Sequence, residues 1–99
     1  MKVMYYEIDK DPYIIDVEDV IESMQKLVDG YIECVYLPGN LILVCNEDGR
    51  LMNLPTNKFC NYINSNIKGN FFVCRSNYAG DDFADIEDED IEFVKGLFK

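Results

Sequence analysis

One short segment constrains the fold of this chain more than any other. Leu41–Cys45 is apolar at all five positions, whereas a strand with one wet face alternates apolar and polar side chains. We therefore predict a central strand of a sheet with both faces covered. This segment is also the longest unbroken apolar run, far below the roughly 20 residues that cross a bilayer. The start of the chain has no apolar segment typical of a signal peptide, so we expect a cytosolic protein with no membrane partner.

The first third of the chain predicts a strand followed by a helix. Lys2–Ile8 is rich in β-formers and ends at a turn over Asp9–Pro12. Asp16 is a good N-cap, with Ile15 and Val20 placed as a hydrophobic staple. The helix is predicted to end at Gly30. Its apolar stripe comprises Val17, Val20, Ile21, Met24, Leu27 and Val28.

The middle of the chain predicts further strands joined by tight turns. Tyr31–Leu37 and the central strand are separated by Pro38–Asn40, which favours an antiparallel hairpin. Asn46–Gly49 predicts a second tight turn, leading into a short strand over Arg50–Leu54.

The last third predicts a short helix, a strand and a terminal helix. Pro55 ends the preceding strand, and a cap at Thr56 or Asn57 begins a helix to about Ile63. A strand over Asn70–Arg75 follows, and then a helix over Asp88–Phe98. The predicted inward face of that helix is Ile91, Val94, Leu97 and Phe98, with Ile86 and Ile91 as its staple.

Together these patterns predict one α+β domain over residues 1–99. We expect a mostly antiparallel sheet of four or five strands with helices packed on one face, in the order β-α-β-β-β-α-β-α. The 48% apolar content is enough for one core at this length. A strand such as Lys2–Ile8 at the sheet edge leaves both a monomer and a homodimer open.

The charge balance disfavours direct binding to nucleic acid. Nineteen acidic against nine basic residues give a net charge of −10, and binding through phosphates requires a basic surface. Attraction to a basic surface of another protein is favoured instead. Plain solubility is the simpler interpretation of the same charge.

The acidic residues are concentrated near the carboxyl end. Those at the start of the terminal helix suit the helix dipole, but the others exceed what a helix start requires. One interpretation is docking onto a positively charged host protein, with Glu18, Asp19 and Glu22 as a second row on the first helix. A second interpretation is a solvated face. A third is a calcium loop, although the segment lacks the D-x-D-x-D-G spacing of such loops. The concentrated acids are Asp81, Asp82, Asp85, Glu87, Asp88, Glu89, Asp90 and Glu92.

A second group of polar residues surrounds the turn that follows the central strand. The candidates for a small-molecule or nucleotide site are Asn46, Glu47, Arg50, Asn53 and Asn57. The alternative is structural, with Asn46 making the turn and Asn57 capping a helix. Without a histidine or an acid–base pair the group is a poor start for catalysis, so we predict no enzyme, no catalytic residues and no cofactor.

The four cysteines indicate buried thiols more than a metal site. Cys34, Cys45, Cys60 and Cys74 include no C-x-x-C pair, and the chain has no histidine to complete a zinc site. Three of them lie inside apolar strand-like runs, where a thiol acts as a small hydrophobe. We predict no metal site; a disulfide is the alternative.

Two longer segments resemble a family of unknown function found in phages, plasmids and mobile elements. Gln25–Glu33 resembles its Q-x-x-V-x-G-Y-I-E motif, and Asn46–Asn57 its N-E-x-G-x-x-x-x-L-P-x-N motif. A G-x-hydrophobic strand and a terminal helix follow in the same order. Asp29 stands where many relatives carry a second glycine. The resemblance implies phage or mobile-element carriage in a bacterium, where an acidic protein that inhibits host defences or mimics DNA would fit, and it implies no mechanism.

Overall fold

Six strands and two helices make up the described part of the chain, which in the computed structural model is residues 1–57, 67–76 and 83–98. They are β1 (Lys2–Tyr6), β2 (Tyr13–Asp16), α1 (Ile21–Val28), β3 (Ile32–Leu37), β4 (Leu41–Asn46), β5 (Phe71–Ser76), β6 (Phe83–Ala84) and α2 (Asp88–Leu97). The sheet order is β2-β1-β5-β4-β3, with β6 paired to β5, and every pairing is antiparallel. The predicted antiparallel α+β class is confirmed.

The central strand is covered on both faces, as its unbroken apolar run predicts. Leu41 and Leu43 belong to a buried cluster with Val94 of α2, whereas Ile42 and Val44 belong to a cluster with Met24 of α1. Successive strand residues point to opposite faces, so the two helices cover opposite faces of the sheet. The prediction that the helices share one face is therefore wrong. Because the middle strands are apolar on both sides, each face needs its own helix.

A second strand replaces the predicted beginning of the first helix. Asp16 is paired with Lys2 across the β1–β2 ladder, and Val17 N donates to Met1 O at 2.8 Å. The helix begins only at Ile21, after Val20 as N-cap, so the predicted cap at Asp16 and its staple are wrong. The apolar stripe does not reveal this difference, because Tyr13–Ile15 are β-formers that find hydrogen-bonding partners on β1. β1 thus lies between two strands and is not an edge.

The segment predicted as a strand over Arg50–Leu54 consists of turns. Leu54 N donates to Gly49 O at 2.9 Å and Met52 N to Asp48 O at 2.8 Å. These local bonds use backbone groups that a strand ladder would require. After these turns, Thr56 forms an isolated antiparallel bridge with Lys68. Most of the helix predicted to run to Ile63 lies outside the described residues.

The other predicted elements are confirmed. β3 and β4 form a hairpin in which Leu37 opposes Leu41, and its turn uses positive φ angles of 81° at Gly39 and 61° at Asn40. β5 and α2 match their predicted ranges within a residue. Val94 and Phe98 are buried against the sheet, with Ile91 and Leu97 packed partly against the same cluster. The order within the described residues is β-β-α-β-β-β-β-α.

Candidate functional site

Exposed carboxylates gather where the chain enters α2. The exposed members of the acidic set are Asp85, Glu87, Asp88, Glu89 and Glu92. Asp81 and Asp82 of the predicted set lie outside the described residues. Among the described residues, no basic side chain lies within 4.0 Å of Asp88, Glu89 or Glu92. We call these five exposed residues the α2 acidic face.

Asp90 does not belong to the α2 acidic face, although the sequence placed it there. Its side chain is only 9% exposed, and its Oδ2 lies 2.7 Å from Arg75 Nε. The same oxygen accepts a hydrogen bond from Glu87 N at 2.9 Å, which satisfies a free N–H at the start of α2. The bond to Asp90 raises the pKa of the Arg75 guanidinium above its ordinary value. Asp90 is therefore a structural residue that joins α2 to β5.

Two further contacts hold the acidic segment against the sheet. Asp85 Oδ1 accepts from Lys2 N at 2.9 Å, and Ile86 N donates to Lys2 O at 2.8 Å. Glu87 Oε2 lies 3.0 Å from Arg75 Nε, with the Glu87 side chain still 54% exposed. A shallow depression here is lined by two bases, Lys2 and Arg75, and by four exposed acids of the α2 acidic face. The carboxylates outnumber the bases beside them, so the depression keeps excess negative charge.

The predicted second acidic row is separate from the first. Glu22 is exposed on α1, which covers the opposite face of the sheet from α2. Glu18 and Asp19 are also exposed, but they precede the helix instead of lying in its first turn. The two helices therefore do not offer one continuous negative surface, and the α2 acidic face is the larger group.

Asn46 is buried, and its side chain links the end of α1 to the turn after β4. Its Nδ2 donates to Val28 O at 2.9 Å and to Asp29 O at 3.2 Å, and its Oδ1 accepts from Asp48 N at 2.7 Å. It thereby satisfies carbonyls at the end of α1 and also shapes the following turn. A Cβ on Gly30 would lie 2.8 Å from this Nδ2, so only glycine permits the approach. The segments that carry the two resembling motifs thus meet at Gly30 and Asn46.

The helix end differs from the prediction by one residue. Asp29, with φ of 62°, takes the left-handed conformation that was expected of Gly30. An aspartate adopts this conformation more readily than most residues, but at greater cost than glycine.

The other two asparagines of the turn group also have backbone roles. Asn57 is buried, and its Nδ2 donates to Tyr6 O and Gly69 O, both at 3.1 Å. It therefore joins β1 to the segment before β5. Asn53 is exposed and takes a positive φ of 58° within the turns. A ligand at this turn would be left with the side chains of Glu47 and Arg50.

Glu47 and Arg50 do lie beside one concavity. Together with Glu33 they line a cleft of about 300 Å³, at the lower limit of the sizes typical of ligand sites. Both side chains are exposed. The structure places this acid and this base beside one cleft, and of the three asparagines only Asn46 is among the described residues that line it.

The described cysteines are free thiols. Burial raises the pKa of Cys45 and of Cys74 to about 12, so both stay protonated at neutral pH. Cys34 is half-buried, and burial raises the pKa of its thiol as well. Cys60 lies outside the described residues. Cys45 and Cys74 therefore match the predicted buried thiols, whereas Cys34 is only partly buried. None of the three described cysteines has a lowered pKa that would activate it as a nucleophile.

The described residues contain neither a cluster of metal-binding side chains nor a helix that could span a membrane. Within residues 1–57, 67–76 and 83–98, no three cysteine, aspartate or glutamate side chains are placed to hold a metal ion. The segment considered as an alternative calcium loop falls partly on Asp81 and Asp82, outside those ranges. Neither described helix is long and apolar enough to span a membrane.

Fold and surface together define a small antiparallel α+β domain whose second helix begins in a cluster of exposed carboxylates. The chain belongs to the family DUF3846, a domain of unknown function, which matches residues 1–99. An uncharacterised family is what the two motifs led us to expect. No curated protein and no solved structure matches this chain.

Proposed function

We propose that this protein is a small acidic interaction protein that binds a basic surface of a host protein through its α2 acidic face. The observation that carries the proposal is the excess of exposed carboxylates over bases around the start of α2. Like charges held together repel one another, and a basic partner relieves that repulsion. The proposal is of a binding protein and not of an enzyme.

The partner is expected to be a protein whose basic surface normally holds nucleic acid. Carboxylates, like phosphates, pair with arginine and lysine side chains, so a cluster of them can compete with nucleic acid for such a surface. An anti-defence or DNA-mimic role in a phage or mobile element would fit this chemistry. The resemblance of Gln25–Glu33 and Asn46–Asn57 to a family from such elements supports the genetic setting.

Affinity purification from the bacterial host with matched charge variants tests the proposal. The first variant neutralises the α2 acidic face at positions that carry no structural bond, as Asp88→Asn, Glu89→Gln and Glu92→Gln. The second changes the net charge equally on the other side of the sheet, as Glu18→Gln, Asp19→Asn and Glu22→Gln. We expect a partner that the wild type and the second variant retain and the first variant loses.

Salt provides an independent readout of the same interaction. Retention should fall as salt rises from about 0.1 M to 1 M, because the Debye length shortens from about 10 Å to about 3 Å. Thermal unfolding checks that each variant is folded. Equal loss of the partner from both variants would show that total charge, and not the α2 acidic face, holds the partner.

A small-molecule or nucleotide sensor is the second candidate, and the cleft beside Glu47 and Arg50 favours it. A metabolite that binds there should raise the melting temperature of the wild type and leave that of Arg50→Ala unchanged. Melting shifts that are equal in the two proteins would place the ligand elsewhere.

A further inference from the structure

One edge of the sheet presents an open row of backbone groups. The sheet order ends at β3, and within the described residues no strand pairs with its outer side. Glu47 N donates to Tyr31 O at 2.8 Å, so the backbone of residue 31 faces β4. Because this direction alternates along an antiparallel strand, Ile32, Cys34 and Tyr36 direct their N–H and C=O groups away from the sheet. These groups can receive another strand.

β3 carries few of the features that usually prevent such pairing. Its register with β4 is continuous from Ile32 to Leu37, without a bulge, and the strand has no proline or lysine. Its only charged residue is Glu33. Tyr36 is 70% exposed, a large aromatic surface for a residue in an edge strand. The opposite edge, β2, is shorter and carries Asp16.

We propose that β3 pairs antiparallel with β3 of a second copy of this chain, around a two-fold axis at Cys34. In this arrangement Cys34 lies opposite Cys34 of the second copy, and Ile32 lies opposite Tyr36 on one face of the joined sheet. The two-fold axis generates this pair twice in the interface. Aromatic side chains opposite β-branched ones are among the favourable cross-strand pairs. The two six-stranded sheets then form one continuous sheet.

The side chains of β3 favour a second copy of this strand in this register over the two neighbouring registers. With the axis at Cys34, Glu33 lies opposite Val35 on the other face, and the two Glu33 carboxylates are about 8 Å apart by strand spacing. An axis at Glu33 would set these two carboxylates directly opposite each other, which is destabilising. An axis at Val35 would bring Pro38, which has no N–H, into the outward row. Of these three registers, only the one centred on Cys34 avoids both faults.

Salt should strengthen this contact. Each copy carries a net charge of −10, so two copies repel each other at low ionic strength. The binding of a basic host protein should respond in the opposite direction. The two proposals rest on different surfaces, and each can fail without the other.

Sedimentation equilibrium of the wild type and three variants tests the proposal. The wild type should show twice the 11.5 kDa mass of one chain, with tighter association as salt rises. Tyr36→Lys should weaken dimerisation by about 2- to 30-fold, because two symmetric cross-strand pairs are lost. Tyr36→Pro removes an outward N–H and leaves the β4 ladder intact, so it should dimerise equally poorly. Tyr13→Lys in β2 is the matched control and should dimerise like the wild type.

Thiol cross-linking determines the register. In a Cys60→Ser background, a short bifunctional maleimide should join two chains through Cys34, and Cys34→Ser should abolish the product. A monomeric wild type at high salt, or a dimer that Tyr36→Lys and Tyr36→Pro leave intact, would overturn the proposal. A dimer that Tyr36→Lys disrupts but that fails to cross-link through Cys34 would overturn the register.

Discussion

Replacing Asn46 with alanine should destabilise the fold more than any other single change around the turn. The substitution removes an amide that donates to Val28 O and Asp29 O and accepts from Asp48 N. Asn46 is 5% exposed and Val28 is fully buried, so water cannot readily replace all three bonds. At a net value of about 0.5–1.5 kcal/mol for each hydrogen bond, we expect a loss of about 2–4 kcal/mol.

Such a loss is a large part of the stability of a domain this size. Typical domains unfold with about 5–15 kcal/mol, and 1 kcal/mol moves the melting temperature of a chain of this length by about 4–8 °C. Asn46→Ala should therefore melt about 8–32 °C below the wild type, as followed by circular dichroism. Glu47→Gln, at the exposed neighbouring position, is the control and should change stability by less than about 0.5 kcal/mol.

Gly30→Ala provides the second half of a thermodynamic cycle. Its new Cβ would lie 2.8 Å from Asn46 Nδ2, but in the Asn46→Ala background that space is open. The two changes should therefore cost less together than the sum of their single effects, with a coupling of about 1 kcal/mol or more. Additive effects, or an Asn46→Ala variant as stable as the wild type, would refute the assigned role of this amide.

Three further predictions concern stability. Asp29→Gly should stabilise the fold by about 1 kcal/mol in urea unfolding, because glycine takes the left-handed conformation without steric cost. Arg75→Met should lower the urea midpoint by an amount equivalent to about 1–3 kcal/mol, because the partly buried carboxylate of Asp90 loses its charged partner. Burial raises the pKa of Cys45 and Cys74 from 9.0 to about 12, so the folded state holds these two protons more tightly than the unfolded state. The free energy of unfolding should therefore be constant with respect to these thiols below about pH 9 and should fall as the pH rises toward 12. The fall should be less steep in Cys74→Ala, which keeps only one of the two thiols.

The side-chain spacing of the sequence correctly predicts most of the helices and strands. The apolar run Leu41–Cys45 requires two covered faces, and the stripe of α2 requires a helix with one buried side. Both are local consequences of side-chain spacing. The same patterns carry no information on which face of the sheet a helix covers, because that depends on the chain's path between elements. The placement of both helices on one face failed for this reason.

Partners distant in sequence account for the remaining differences. Tyr13–Asp16 is a strand only because β1 offers hydrogen-bonding groups beside it. Asp90 suits a helix start in the sequence, but its burial depends on Arg75, fifteen residues earlier. The sequence predicts the strand over Tyr31–Leu37, whereas its position at the sheet edge depends on the strand order of the sheet. Turn and capping chemistry predicts structural roles for Asn46 and Asn57 as the alternative to a ligand site. Their hydrogen bonds to backbone carbonyls distant in sequence favour the structural roles.

Zero-length carbodiimide cross-linking in a host lysate, followed by mass spectrometry, most directly tests the proposed use of the acidic surface. The reagent joins a carboxylate to a lysine only where the two are in contact, so each product names both residues. We expect links from Asp88, Glu89 or Glu92 to lysines of one host protein, and their loss in high salt. Links confined to Glu18, Glu22 or Glu47, or no heterologous link at all, would contradict the proposal.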